Sequence, residues 1–258
     1  MKNLHFRHGV INKQDFLFSL KECNDEAYLA AYSLVKNLLV GMAKRARLYC
    51  SNRYDFADYP FCYRERQLDS ILLPELSTLC KGYVFAEYPV TRNSRKYEAK
   101  DSKGRIDYWC IYKDYSFVIE VKHSYDNFTS GKTKDETIGR WELMNKYQLR
   151  SIKKYIKRNY IEKTKGVIPL ALHFVTSEFG GEPTNERRNE YIEQERMMLK
   201  RLHDDLTKIE EPDFMSLWEI DKEMYKKSQF DGYSYPGLIL VSKSYEVIKH
   251  KGAEKYGK

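Results

Sequence analysis

The sequence predicts an α/β fold with a mixed central sheet flanked by helices. Two runs, residues 106–112 and 117–123, are rich in Ile, Val, Phe, Tyr and Trp and enclose a polar turn, as in a β-hairpin. Apolar residues at helical spacing precede and follow the hairpin, over residues 63–79 and 135–159. The buried run 167–176 comes after the second helix, so it is expected to lie parallel to its neighbouring strand.

The chain before this core, residues 1–62, is predicted to be a helical extension. Residues 14–20 favour a short helix. A longer helix is expected from an N-cap at Asn24 or Asp25 to about Tyr49, since its alanine, leucine and valine residues recur on one stripe.

The core itself, residues 63–178, has the predicted order helix, three strands, helix, strand. Gly82 ends the first helix, and residues 83–91 form the first of the three strands. Residues 179–258 are expected to pack on the same domain as a C-terminal extension. That extension should contain one long charged helix and two strands, at 185–209, 214–220 and 237–242.

Three charged side chains interrupt the apolar hairpin: Asp107, Glu120 and Lys122. If the turn centres on Asp114 and Tyr115, Asp107 lies opposite Lys122, and Glu120 shares their face because side chains repeat every second residue. Paired carboxylates are hard oxygen ligands for Mg²⁺, and a neighbouring lysine stabilises charge that develops on a phosphoryl group. The alternative is a structural salt bridge from Lys122 to either carboxylate.

The motif of Asp107, followed after 12 residues by Glu120-Val121-Lys122, resembles the signature of the PD-(D/E)XK nuclease superfamily. The proline for which that motif is named is absent here. The resemblance covers roughly residues 63–178. It implies a restriction-endonuclease-like core with the order αβββαβ, and the predicted elements follow the same order.

The resemblance also implies an activity, which is hydrolysis of phosphodiester bonds with Mg²⁺ as cofactor and Mn²⁺ as a substitute. Asp107 and Glu120 would bind the metal together with the Val121 carbonyl. Lys122 would assist the attacking water and stabilise the transition state.

Three further positions match roles that recur in this superfamily. An additional metal ligand would come from the first core helix, as Glu65, or from the first strand, as Glu87. Gln148, on the helix after the motif, would point at the site as a further catalytic residue. Two of the three have a structural alternative: Glu65 pairs with neighbouring arginines or solvent, and Gln148 is hydrogen-bonded within the core.

The same helix is predicted to carry a cationic face, almost without acidic residues. Such a face suits a phosphate backbone and binds it without sequence preference. The predicted nucleic-acid contacts are Lys146, Arg150, Lys153, Lys154, Lys157 and Arg158.

Composition agrees with an anionic partner, since the formal net charge is +8 and the pI is about 9.0. Double-stranded DNA is the expected partner, and the resemblance adds a homodimer or a targeting protein. The five cysteines are widely spaced, which favours free thiols over disulfides or a zinc site. Without a signal peptide or an apolar run of membrane length, a cytoplasmic protein with no membrane partner is expected.

Three functions follow from these patterns. The first is a metal-dependent DNA endonuclease of restriction, phage-defence or repair type. The second is a catalytically inactive nucleic-acid-binding or scaffold module of the same fold, in which the charged triad is a salt bridge. The third is a nuclease that acts on RNA, which presents the same phosphate charge.

Overall fold

The computed structural model describes residues 6–11, 14–19, 23–50, 59–92, 102–156, 163–182, 184–225, 229–230 and 232–249. The strands in these ranges are β1 (Phe6–Ile11), β2 (Gln14–Ser19), β3 (Val84–Arg92), β4 (Ser102–Tyr112), β5 (Tyr115–Asn127), β6 (Val167–Gly180), β7 (Phe214–Glu219), β8 (Gln229–Phe230), β9 (Tyr233–Ser234) and β10 (Gly237–Ser244).

Eight of these strands form a continuous mixed sheet in the order β1-β2-β7-β10-β6-β5-β4-β3, and the short pair β8 and β9 attaches to the end of β6. β5 and β6 are parallel, whereas the other neighbours along the sheet are antiparallel. Nearly all side chains of β5 and β6 are buried, as expected for central strands covered on both faces.

The helices explain why β5 and β6 run parallel. A helix follows β5 and carries the chain back along the sheet, so that β6 starts beside the start of β5. This helix consists of α3 (Asp135–Glu142) and α4 (Leu149–Ile156), joined by a π-helical turn, Leu143–Gln148. The α-helices of the described ranges are α1 (Glu26–Tyr49), α2 (Glu65–Leu79), α3 (Asp135–Glu142), α4 (Leu149–Ile156), α5 (Asn185–Thr207) and α6 (Lys222–Tyr225).

Helices cover both faces of the sheet around β5. On one face the Tyr108 hydroxyl of β4 donates a hydrogen bond to Asp69 of α2. On the other face Trp141 of α3 stacks on His173 of β6, with ring centroids 6.3 Å apart. The charged positions of β5 therefore lie between a helix above the sheet and a helix below it.

The predicted order of the core is confirmed: helix, three strands, helix and a parallel strand follow one another from α2 to β6. The N-cap of α1 is Asp25, whose side chain accepts a hydrogen bond from the Tyr28 N–H at 2.8 Å. The two predicted C-terminal strands are β7 and β10, and both extend the sheet. The specific restriction-endonuclease-like core and the boundaries at residues 62 and 178 stay predictions.

The prediction of a helix over residues 14–20 is wrong. Residues 14–19 form β2, which pairs with β1 and β7, and Phe16, Leu17 and Phe18 are all buried. A short apolar run fits either a helix or a strand, and here a partner strand some two hundred residues away in sequence decides.

The predicted register of the central hairpin is also wrong, by two residues. The turn consists of Lys113 and Asp114 alone, and both have positive φ angles, 46° and 66°. This is the backbone of a two-residue type I′ turn. Trp109 consequently lies opposite Val118, so that position 107 falls opposite 120 rather than 122. A shift of two residues keeps Asp107, Glu120 and Lys122 on one face of the sheet.

Within the described ranges, every helix is too short or too polar to cross a lipid bilayer.

Candidate functional site

Asp107 lies where the pairing of β4 with both neighbouring strands is interrupted. The β4–β5 ladder stops at Tyr108, one residue away. The β3–β4 ladder skips Asp107 as well, because Glu87 opposite it has a left-handed backbone with φ of 52°. Asp107 Oδ2 instead accepts a hydrogen bond from the Val121 N–H at 2.6 Å. A carboxylate therefore takes the place of a backbone acceptor and is held in one orientation.

The Lys122 ammonium lies among one carbonyl oxygen and two carboxylate oxygens at this interruption of the sheet. It lies 2.6 Å from the Val121 carbonyl oxygen, 3.2 Å from Glu65 Oε1 and 4.0 Å from Asp107 Oδ2. The side chain is only 10% exposed. A buried ammonium is stable only when it is paired and hydrogen-bonded, and these oxygens supply the pairing.

Glu65 connects this ammonium to a second cation. It is the first residue of α2, where a carboxylate is favoured by the helix dipole. Its Oε1 lies on Lys122, and its Oε2 lies 3.6 Å from Arg140 Nη1 of α3. Arg140 also pairs with Glu136 on its own helix, at 2.6 Å. The start of α2 thus places one carboxylate between a cation of β5 and a cation of α3.

Sequence reasoning missed Arg140. Its distance from Glu65 depends on how α2 and α3 approach each other at the end of β5, and a sequence pattern does not carry that information. The adjacent Trp141, which is fully buried, was the only signal that this turn of the helix faces the sheet.

The other predicted acidic residues lie on the same part of the sheet. Glu120 is 1% exposed and belongs to the face of β5 that carries Lys122. Glu87 is exposed on β3 and pairs with Arg105 at 3.2 Å. Of the two alternatives for an additional ligand, Glu65 contacts Lys122, whereas Glu87 acts on Asp107 through its charge.

The electrostatic balance at Asp107 has opposing causes. Burial raises the pKa of this carboxyl above its usual range, while the Lys122 ammonium and the Val121 N–H lower it. The negative charges of Glu65 and Glu87 raise it further. Acidification is therefore expected to protonate Asp107 at a higher pH than an ordinary aspartate.

The residues fit Mg²⁺ in the kind of donor that they offer. Carboxylate and carbonyl oxygens converge here, and these are the ligands that Mg²⁺ prefers. Among the side chains that the structure describes, no three His, Cys, Asp or Glu residues lie close enough together to hold a metal ion. A divalent cation bound by these oxygens would compete for them with the Lys122 ammonium.

Two buried histidines lie next to Lys122, His123 beside it along β5 and His173 opposite it on β6, so that they point to opposite faces of the sheet. His123 bonds to Thr176 at 2.9 Å, and His173 bonds to Ser124 at 2.9 Å. Burial, followed by nearby positive charge, lowers the pKa of each to about 3. Both imidazoles are therefore expected to be uncharged at neutral pH.

The remaining predicted residues are more dispersed. Gln148 is half-buried at the end of the π-helical turn, and its backbone carbonyl accepts a hydrogen bond from Ser151. Lys146 pairs with Glu142 at 3.0 Å, and Arg150 pairs with Glu210 at 3.4 Å. These two cations therefore have acidic partners outside the predicted cationic face, and their role as nucleic-acid contacts stays a prediction.

The side chains of the other four predicted cations are outside the description. Lys153 and Lys154 lie in α4, but their side chains fall outside the described atoms, and Lys157 and Arg158 lie outside the described residues. Their role as nucleic-acid contacts stays a prediction.

Comparison of the chain with protein-family models, with curated proteins and with solved structures finds no match in any of the three.

Proposed function

We propose that the chain is a metal-dependent nuclease that hydrolyses phosphodiester bonds, with DNA as its substrate. The observation that carries this proposal is the buried Lys122 ammonium at the sheet interruption, with Asp107, Glu65 and the Val121 carbonyl oxygen around it. The strand pairing of β4 is interrupted at Asp107 on both sides. Irregular backbone of this kind is concentrated at functional sites, so the interruption supports the proposal.

In this proposal the carboxylates of Asp107 and Glu120 and the Val121 carbonyl would hold Mg²⁺ or Mn²⁺. The bound ion would polarise a phosphoryl oxygen and lower the pKa of its water. The Val121 N–H fixes Asp107 so that its carboxylate is ready for this role. Lys122 would move from its carboxylate partners to the phosphate and stabilise the charge that develops there.

Arg140 gives the proposed site a second cation for the substrate phosphate. Its side chain is 36% exposed, so an anion can reach it, and it would exchange its carboxylate partners Glu65 and Glu136 for the phosphate. A guanidinium binds phosphate with two parallel hydrogen bonds, which makes it suited to this contact. The net charge of +8 adds a general attraction for nucleic acid.

A second candidate, a binding or scaffold module of the same fold, is favoured by a specific observation. The Lys122 ammonium is fully engaged by the oxygens of Val121, Glu65 and Asp107, as in a structural ion-pair network. Such a module would bind nucleic acid with the same cations and would not cleave it.

The experiment is a cleavage assay on supercoiled DNA, linear DNA and RNA with Mg²⁺, Mn²⁺ or EDTA. The proposal expects DNA cleavage with either metal and none with EDTA. Binding of DNA without cleavage under every condition would favour the module, and cleavage of RNA alone would change the substrate.

A further inference from the structure

Three aromatic rings form a small surface beside the proposed site, which we call the aromatic shelf: Phe85 and Tyr88 of β3 and Trp109 of β4. Their ring centroids are 5.6 Å apart for Phe85 and Trp109, 6.0 Å for Tyr88 and Trp109, and 6.2 Å for Phe85 and Tyr88. Trp109 is buried, whereas the Phe85 side chain is 58% exposed. Phe85 is thus a solvent-facing ring that its two neighbours hold in place.

The shelf and Asp107 belong to one face of the sheet. Phe85 is directly opposite Trp109 in the β3–β4 ladder, and directly opposed residues share a face. Trp109 and Asp107 are two residues apart on β4, so they also share that face and lie about 7 Å apart along a regular strand. A bound strand with its phosphate at Asp107 therefore has its neighbouring nucleotide within reach of Phe85.

The strained residue Glu87 builds the shelf. In a regular strand Tyr88 would point away from the face that carries Phe85. The left-handed backbone of Glu87, with φ of 52°, breaks this alternation, and Tyr88 packs on Trp109 beside Phe85. The same residue interrupts the ladder at Asp107. One local distortion thus shapes both the carboxylate site and the aromatic surface next to it.

The surroundings of the shelf favour a nucleobase over a protein partner. Arg105 and Glu87 form an ion pair beside the rings, with side chains 70% and 64% exposed. A protein interface of about 800 Å² per partner would have to bury this pair, whereas one stacked base leaves it in water. One exposed ring also matches the size of one base, and base stacking on an aromatic ring stabilises binding by about 1–3 kcal/mol.

We propose that the aromatic shelf binds an unpaired nucleobase next to the scissile phosphate, so that the substrate is a strand with unpaired nucleotides, such as a single strand, an overhang or a frayed end. A base inside a duplex has both faces covered by its neighbours and reaches such a ring only after it is unstacked. This inference rests on the proposed nuclease function and deepens it.

The test is the binding of fluorescent DNA in EDTA, measured by anisotropy, for a single strand and for a duplex closed by hairpin loops at both ends. Wild-type protein is expected to prefer the single strand. Phe85→Ala should weaken single-strand binding about tenfold, the effect of about 1.4 kcal/mol of lost stacking, and leave duplex binding unchanged. Phe85→Tyr keeps an aromatic face and should retain the wild-type affinity.

Tyr233→Ala is the matched control, because Tyr233 is an exposed aromatic residue on β9, which pairs with the C-terminal end of β6 and not with β3. It should bind both DNAs as wild type does. If wild type and Phe85→Ala bind the single strand equally and the protein still cleaves nucleic acid, the proposed base binding by the aromatic shelf is wrong. The nuclease proposal would then still stand. Self-association that Phe85→Ala abolishes would also overturn the proposed base binding, and a wild type that neither binds nor cleaves nucleic acid would overturn the nuclease proposal itself.

Discussion

Two acidic sites in this molecule, one half-buried and one fully buried, differ in what surrounds them. At the sheet interruption, Asp107 and Glu65 flank the Lys122 ammonium, and their side chains are 28% and 35% exposed. Glu195 of α5 lies under β6 and is wholly buried. It accepts a hydrogen bond from the Ser177 hydroxyl at 2.5 Å, and burial raises its pKa to about 8.

The difference shows how a carboxyl side chain serves two purposes. Burial outweighs the positive charges of Arg188 and Arg196 at Glu195, so this residue is expected to keep its proton at pH 7 and to act as a polar element of the core. Asp107 is also partly buried, but Lys122 and the Val121 N–H oppose the effect of burial and favour its charged form. Only the second arrangement presents negative oxygen atoms to a metal or a substrate.

The largest expected effect is a difference in cleavage rate between a variant at the sheet interruption and a variant at Glu195. Lys122→Met keeps the apolar stem and removes the charge, so cleavage should fall by at least about a hundredfold because the transition state loses a cation. Glu195→Gln should cleave at the wild-type rate. Initial cleavage rates of the two variants, with thermal unfolding as a check of folding, measure this contrast. Equal loss of activity in both variants would remove the distinction between them.

The next effect is the pH dependence of stability that Glu195 causes. Its pKa is about 8 in the folded protein and about 4.5 when unfolded, so the unfolded state loses this proton first as the pH rises. Wild-type stability should therefore fall between pH 4.5 and 8 relative to Glu195→Gln, by up to about 1.4 kcal/mol per pH unit. Urea unfolding of both proteins at several pH values measures the difference. A difference that does not change with pH would show that Glu195 is charged in the fold.

A smaller effect is expected at Arg140. Arg140→Ala should raise the KM for DNA about tenfold with a lesser change in kcat, since a phosphate contact of about 1.4 kcal/mol is lost. Arg196→Ala, which removes a partly exposed arginine paired with Glu219 on the Glu195 side, is the matched control. Steady-state kinetics of the two variants test this, and an equal change in KM for both would mean that only the net charge matters.

The smallest effect concerns backbone strain, which distinguishes the two regions as well. The β6–β10–β7 ladders above Glu195 run without a break, whereas Glu87 beside Asp107 has a left-handed backbone. Glu87→Gly should be more stable than Glu87→Ala by about 1 kcal/mol, because glycine adopts this conformation without steric conflict. Both variants lose the Arg105 pair, so their difference in urea unfolding isolates the strain. Equal stabilities would show that the backbone at this position relaxes.

Much of the fold follows from local sequence patterns. Helical spacing and the N-cap at Asp25 correctly give α1, and the order from α2 to β6 follows from periodicity and from the crossover helix. The same patterns do not identify residues 14–19 as a strand, because one of the two partner strands of β2, β7, is distant in the chain. They do not identify the turn at Lys113 and Asp114 either, since neither residue is the glycine or asparagine that usually marks positive φ.

Most residues of the candidate site could be predicted from the sequence, but Arg140 and the contacts between the residues could not. Alternation along two strands is enough to place Asp107 and Lys122 on one face. The interruption at Glu87, the contact of Glu65 with Lys122 and the approach of Arg140 all depend on how separate elements pack. Glu195 also depends on packing: it lies on the apolar stripe of its helix, and its raised pKa is caused by burial under β6.

We propose that the oxygens around Lys122 form a metal-dependent site, and calorimetric titration with Mn²⁺ measures whether they do. Wild type and Glu195→Gln are expected to bind Mn²⁺ and Asp107→Asn is not, while all three proteins remain folded. Absence of binding to wild type, or equal binding to Asp107→Asn, would contradict the claim and leave the charged cluster as an ion-pair network.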